Sequence, residues 1–87
     1  MYYVYVLFSV EHGKTYVGFS NNLISLFTYN SDTTKDHLRR YRTWALLHVE
    51  KFLARRSAVL REKELRSRSG RAFIKQLIHH KYKVIEE

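Results

Sequence analysis

The sequence has 87 residues, with 16 Lys and Arg against 8 Asp and Glu, a formal net charge of +8, and no cysteine. This length predicts one domain over residues 1–87, and the composition, with 45% hydrophobic and 28% charged residues, excludes a disordered tail. The missing cysteine excludes disulfides, thiolate zinc sites and cysteine nucleophiles; it is compatible with the reducing cytoplasm, in which we expect the protein to act.

The first element in the chain is a predicted β-hairpin. Residues 2–8 are rich in β-branched and aromatic residues, with apolar side chains on both faces, which predicts a central strand. This run is far shorter than the ~20 residues that cross a bilayer, so we expect no membrane partner. Residues 10–13 predict a turn in which Gly13 takes a positive φ, and residues 14–19 predict the returning antiparallel strand.

A short helix and a loop are predicted after the hairpin. Residues 20–22 offer capping side chains, and apolar residues at helical spacing predict a helix over residues 23–30. The polar run 31–42 predicts a loop, and residues 44–52 predict a third strand. On this strand, the alternation of side chains assigns Trp44, Leu46 and His48 to one face and Leu47 and Val49 to the other.

Two helices complete the predicted fold. The first covers residues 53–67 and is broken at Ser69-Gly70, and the second begins at Arg71. The second helix carries an apolar stripe of Phe73, Ile74, Leu77 and Ile78. The order β-β-α-β-α-α predicts an α/β fold, with a small three-stranded antiparallel sheet flanked by helices.

The positive charge is concentrated in the second part of the chain. Residues 1–50 carry a net charge of +1, whereas residues 51–87 carry +7. Such an excess most often marks a surface that binds nucleic acid. A basic, solvated helix face and an intermolecular surface remain as alternatives.

Two tyrosine-containing tripeptides stand on the predicted hairpin, Tyr3-Val4-Tyr5 and Tyr16-Val17-Gly18. With them the sequence resembles the GIY-YIG nuclease family, whose signature tripeptides lie on adjacent strands of one hairpin. The resemblance is greatest to the small stand-alone bacterial members. It continues through residues 20–23, 42–44, 57–65 and 69–75.

The resemblance implies metal-assisted hydrolysis of a DNA phosphodiester. It assigns Tyr5 and Tyr16 to the activation or orientation of the attacking water, and Glu62 to a weakly held Mg²⁺ or Mn²⁺. Its substrates would be branched or damaged DNA, as in DNA repair. An arginine stabilises the charged transition state in such a mechanism.

Each of these residues also has a purely structural interpretation. Tyrosines pack well across neighbouring strands, and Glu62 would suit a structural ion pair with one of the many arginines. On a helical wheel, however, Glu62 lies within the apolar arc that includes Ala58 and Leu65, whereas Glu64 faces away. A carboxylate on the buried side is costly unless it is paired or binds a metal.

The family's arginine is missing from this sequence. Its position in the first helix is occupied by Leu26, and residues 15–34 contain no Lys or Arg. A histidine that is common near the end of this helix is replaced by Tyr29. Losing a guanidinium that stabilises phosphoryl-transfer charge costs about 10³–10⁵ in rate, so we expect hydrolysis to be weakened or lost.

Three functions remain open at this point. In the first, the domain binds DNA with little or no catalysis, through phosphate contacts from the 31–42 loop that are extended by the basic helix predicted over residues 53–67 and its end. The loop cations are Lys35, Arg39, Arg40 and Arg42, and the helix cations are Arg55, Arg56, Arg61, Arg66 and Arg68. In the second, an arginine from the 35–42 segment restores an active endonuclease. In the third, the apolar residues 23–27 form a docking surface of a non-catalytic protein-interaction module. The sequence leaves the oligomeric state open.

Overall fold

The computed structural model of the chain describes residues 1–22, 24, 28 and 36–82. Within these residues, the elements are β1 (Tyr2–Ser9), β2 (Lys14–Ser20), α1 (Asp36–Arg40), β3 (Ala45–Phe52), α2 (Arg55–Arg66) and α3 (Arg68–Lys81). They form a three-stranded antiparallel sheet flanked by helices, in the order β-β-α-β-α-α, which confirms the predicted fold class.

Strand β1 lies at the centre of the sheet, in the strand order β2-β1-β3. Its apolar side chains on both faces predicted this position, because a central strand is covered on both sides. The turn between β1 and β2 contains Gly13 at a φ of 66°, as predicted. In this strand order, β2 forms one edge of the sheet, and the candidate site lies at this edge.

The two faces of the sheet have separate hydrophobic cores. One core packs Val4 and Val6 of β1 against Leu65 of α2 and Ile74 of α3. The other core, which we call the tyrosine face, contains Tyr5, Leu7, Leu38 and Trp44, with Tyr3, Tyr16, Tyr41 and Leu46 packed around them. Within it, the buried Trp44 indole donates a hydrogen bond to the Leu38 carbonyl over 2.9 Å.

A β-bulge in β3 changes the predicted faces of this strand. Leu46 pairs with Leu7 and His48 pairs with Val6, so Leu47 is an extra residue between two paired positions. After the bulge, His48 lies on the face of Val6, and its ring meets Phe73 edge-on at 5.5 Å. The prediction that His48 shares a face with Trp44 and Leu46 is therefore wrong. The prediction that Leu47 and Val49 share the other face is wrong for the same reason.

The segment between β2 and β3 differs from the prediction where it can be compared. The predicted helix over 23–30 lies outside the described residues except for Ile24 and Thr28, and the first residues of the predicted loop, 31–35, lie outside them too. The Oδ1 of Asn22 accepts a hydrogen bond from the Ile24 amide over 2.9 Å, which agrees with the predicted capping role. The prediction of a loop is wrong over α1, which buries Leu38 and begins at Asp36.

The break between the last two helices lies at Ser67, three residues before Gly70. The Ser67 hydroxyl accepts a hydrogen bond from the Gly70 amide over 3.3 Å, as the N-cap of α3. A Cβ at Gly70 would collide with the backbone of Glu64 and Leu65, so this glycine permits the close approach of two helix ends. The predicted break at Ser69-Gly70 and the predicted helix start at Arg71 are wrong for this reason.

Candidate functional site

The two signature tyrosines lie on neighbouring strands of the tyrosine face. The ring centroids of Tyr5 and Tyr16 are 6.4 Å apart. Tyr5 is buried, with 7% of its surface exposed, and it pairs with Gly18 across the strands. A Cβ at Gly18 would lie 2.5 Å from the Tyr5 hydroxyl and 2.6 Å from its Cε2. The glycine of the second tripeptide therefore makes room for the tyrosine of the first.

His37 of α1 covers the more exposed Tyr16 ring. The two rings are stacked with centroids 6.0 Å apart, and His37 Nε2 lies 3.1 Å from the Thr15 carbonyl oxygen. Because a carbonyl oxygen only accepts, Nε2 must carry the proton of this bond. In the neutral ring, Nδ1 is then left as the proton acceptor.

Glu62 and Arg66 lie one turn apart on α2. Arg66 Nη2 lies 3.0 Å from Glu62 Oε2 and also donates to the Val17 carbonyl over 2.8 Å. The Glu62 side chain is 21% exposed and that of Arg66 is 56% exposed. Arg66 thus ties α2 to the edge strand at the residue that follows Tyr16. The structural interpretation of Glu62 as the partner of an arginine is therefore realised.

One cavity at the edge of the sheet brings several of these side chains together. It has a volume of about 270 Å³, and Tyr16, His37, Arg66 and Arg71 line it. In the described part of the chain, Arg71 pairs with no acidic side chain. Tyr16, His37 and two arginines therefore line the same space, together with the apolar Val17, Leu65 and Ile74, and arginine is a residue type that binds phosphate.

The loop cations predicted from the sequence lie elsewhere. Arg39 and Arg40 both pair with Asp36, over 2.7 Å and 3.0 Å, and their side chains are 60% and 62% exposed. The hydrogen bond from Arg39, and then the charge of Arg40, hold the pKa of the Asp36 carboxyl below its usual value. Arg42 is exposed, and its carbonyl accepts a hydrogen bond from His12. None of these three arginines lines the Tyr16 cavity, and Lys35 and Leu26 lie outside the described residues.

A second charged cluster joins α2 to β3. Arg61 donates from Nε and Nη2 to the Glu50 carboxylate over 2.9 Å, and His48 lies 2.7 Å from the same carboxylate. Arg61 also pairs with Glu64 and lies over the Phe73 ring, 5.4 Å from its centroid. Burial by itself raises the pKa of Glu50, but the hydrogen bonds from Arg61 and His48 outweigh it and hold that pKa below its ordinary value. Arg61 is therefore engaged in holding the fold together.

Glu62, the metal ligand predicted from the family resemblance, does not itself line the Tyr16 cavity. Among the described residues, no group of three or more His, Asp and Glu side chains could hold a metal ion. Within the same residues, the hydrogen bond from Arg66 engages Oε2 of Glu62, and Oε1 accepts none. A single carboxylate oxygen is enough for Mg²⁺, which keeps several waters and takes further ligands from substrate phosphates.

The sequence identified Tyr5, Tyr16 and Glu62 through the family resemblance, but it did not identify His37 or Arg71 as neighbours of Tyr16. These residues come from α1 and α3, and no fixed spacing links them to the tripeptides. Arg66 was expected on a basic surface, and its position one turn after Glu62 was the available signal.

Comparison with known proteins gives one match. A family model described as the GIY-YIG catalytic domain matches residues 1–76, whereas the comparisons with curated proteins and with solved structures find no match. Among the residues that the structure describes, no helix is long and apolar enough to cross a membrane. The family match includes both tripeptides, Glu62 and Arg66. The resemblance inferred from the tripeptides is confirmed, and the chain belongs to the GIY-YIG catalytic domain family.

Proposed function

We propose that this domain binds DNA at the cavity beside Tyr16, and that its metal-dependent hydrolysis of the phosphodiester is weakened or lost. A GIY-YIG domain points to a nuclease-like function that involves DNA. The observation that carries the proposal is the convergence of Arg66 and Arg71 on the cavity that Tyr16 lines. Guanidinium groups bind phosphate through paired, charge-assisted hydrogen bonds.

We propose that hydrolysis is weakened because no arginine stands at the position that the family uses. Residues 15–34 contain no Lys or Arg, and Leu26 stands at the family's arginine position. Arg66 lines the cavity, but its Nη2 is bound to both Glu62 and the Val17 carbonyl. A guanidinium held in this way must break existing bonds before it can stabilise a transition state, so Arg66 replaces the missing arginine poorly. Arg71 also lines the cavity and pairs with no acidic side chain among the described residues, so it is the other guanidinium that could restore hydrolysis.

Glu62 would hold Mg²⁺ or Mn²⁺ through its Oε1. Such an ion neutralises phosphate charge and activates water when it is bound. The chain's own contribution is to position the phosphate between Arg66 and Arg71, and to offer Nδ1 of His37 as a proton acceptor next to Tyr16.

A second candidate function is an active endonuclease in which Arg66 supplies the missing guanidinium. The specific observation in its favour is that Arg66 adjoins Glu62 and shares a cavity with Tyr16. An arginine from α1 is less suited to this role, since Arg39 and Arg40 are both paired with Asp36. The protein-interaction alternative depends on residues 23–27, of which Ile24 is described and is 77% exposed.

One set of variants separates these functions. Wild-type protein, Glu62→Gln, Arg66→Gln and the control Lys63→Gln are incubated with plasmid and branched DNA in Mg²⁺ or Mn²⁺. Lys63 is an exposed residue of the same helix. DNA binding that weakens with salt, without cleavage, supports the first function. Cleavage that Glu62→Gln and Arg66→Gln abolish, but Lys63→Gln does not, supports the endonuclease. Binding that does not change with salt would overturn both functions.

A further inference from the structure

We propose that α3 carries a phosphate track, along which one DNA strand runs after it leaves the cavity beside Tyr16. The track consists of Arg68, Arg71 and Lys75. This inference rests on the proposed function, because it takes DNA as the ligand of the Tyr16 cavity. It adds a second contact region on α3, of which Arg68 alone was expected from the sequence to face DNA.

The Tyr16 cavity continues into a second space along α3. This space has a volume of about 490 Å³, and Arg68, Arg71 and Lys75 lie along it. The two cavities share Thr15, Arg71 and Ile74 as lining residues. A chain that occupies the Tyr16 cavity can therefore continue directly onto the surface of α3.

The cations of this track are available to a ligand. Helix α3 contains no acidic residue, and Arg68, Arg71 and Lys75 are exposed. In the described part of the chain, none of the three forms an ion pair. By contrast, Arg61 and Arg66 of α2 are both paired with glutamates. A polyanion gains more from unpaired cations, because it displaces no internal partner.

The spacing of the three cations suits the repeat of a nucleic-acid backbone. Positions 68, 71 and 75 share one helix face, and a rise of 1.5 Å per residue separates the first and last by about 10 Å. One strand of duplex DNA presents a phosphate every ~3.4 Å along the axis, so this distance spans about three phosphates. The floor between the cations includes Ile74 and Ile78, so the contacts are to the backbone and carry no base readout.

The test compares two variants that lose the same charge. Arg68→Gln/Lys75→Gln removes the two ends of the track and leaves Arg71 and the Tyr16 cavity intact. Lys51→Gln/Lys63→Gln is the control, since Lys51 lies on β3 at the opposite edge of the sheet and Lys63 is an exposed residue of α2. Binding of a fluorescein-labelled DNA duplex is measured by anisotropy over a range of salt concentrations, and circular dichroism verifies that each variant is folded.

We expect the track variant to lower the slope of log K against log salt by about 1.8, since each lost phosphate contact removes about 0.9. Across a fourfold rise in salt, the wild-type affinity should then fall about tenfold more than that of the variant. Equal slopes for the track variant and the control would overturn the track and leave the proposed function standing. No binding by the wild-type protein at low salt would overturn the proposed function, and the track with it.

Discussion

Replacing Gly18 by alanine should destabilise the protein, because the Tyr5 ring occupies the space that a side chain at this position needs. The new Cβ would lie 2.5 Å from the Tyr5 hydroxyl and 2.6 Å from its Cε2. Tyr5 is 7% exposed and belongs to the core of the tyrosine face. Its ring must therefore shift against the rest of this core to make room for the new Cβ.

The size of the effect follows from two opposing contributions. Overpacking of a well-filled core costs about 1–3 kcal/mol, whereas alanine recovers about 0.5–1 kcal/mol relative to glycine in a strand. We therefore expect the free energy of unfolding to fall by about 1 kcal/mol in Gly18→Ala, within a range of about 0–2.5 kcal/mol. For a domain of this size, each kcal/mol corresponds to about 4–8 °C in Tm.

Urea unfolding can be followed through Trp44, the single tryptophan of the sequence, which is 2% exposed. A double-mutant cycle with Tyr5→Val isolates the contact, because valine removes the ring and remains a good strand former. In the Tyr5→Val background, Gly18→Ala should be neutral or slightly stabilising. The same loss in both backgrounds would refute the reasoning, since the cost would then not come from the Tyr5 ring.

Three further predictions concern stability. Gly70→Ala should cost at least about 3 kcal/mol in urea unfolding, since its Cβ meets the backbone of Glu64, which cannot rotate away as a side chain can; a loss below about 1 kcal/mol would contradict the close approach. Gly13→Ala should cost about 1–2 kcal/mol because of its φ of 66°, and Gly13→Asn should cost less in the same assay, since asparagine tolerates this region better. The lowered pKa of Glu50 means that the folded state binds fewer protons than the unfolded state below its ordinary value of 4.5, so stability falls as the pH falls through this range. The free energy of unfolding should therefore decline more steeply with acid in the wild type than in Glu50→Gln, and parallel curves would show that the Arg61 pair contributes nothing.

The elements that local chemistry specifies were predictable from the sequence. The hairpin depends on a strand with apolar side chains on both faces and on one glycine with a positive φ, and both signals lie within a few residues. The apolar stripe of α3 also agrees with the structure, where Ile74 is buried and Phe73 and Ile78 pack against the core. Both features can be predicted without knowing which distant residues pack against them.

The errors arose where tertiary contacts decide the local structure. In β3, the run Ala45-Leu46-Leu47 is apolar throughout, so a bulge at Leu47 leaves no trace in the alternation of the sequence. Glycine is typical of helix breaks, but Gly70 lies within α3, where it allows this helix to approach the end of α2 closely. The packing of the two helices places the backbone of Glu64 and Leu65 next to Gly70, and the sequence does not show this contact.

The sequence named individual candidate site residues, whose roles stay predictions, but it did not indicate how they are arranged. The family resemblance identified Tyr5, Tyr16 and Glu62, and the helical wheel correctly assigned Glu62 to the partly buried side of α2, where its side chain is 21% exposed. It did not indicate that Arg71 and His37 reach the same cavity, since they approach β2 from different elements. An open sheet edge gathers residues that are far apart in the chain, and spacing does not encode this.

The cations of the last two helices fall into two groups, those that form ion pairs within the protein and those that do not. Arg61 and Arg66 are bound to glutamates and join α2 to β3 and β2, whereas the exposed Arg55, Arg56 and Lys63 of the same helix form no ion pair among the described residues. The cations that α3 directs into the groove have no such partners among the described residues. Among the lysines and arginines that line the two cavities, the unpaired ones therefore lie on α3, and the cavity that Arg71 shares with Tyr16 connects them to the signature tyrosine. This distribution favours holding a DNA strand at the site over stabilising the charge that builds up when the strand is cut.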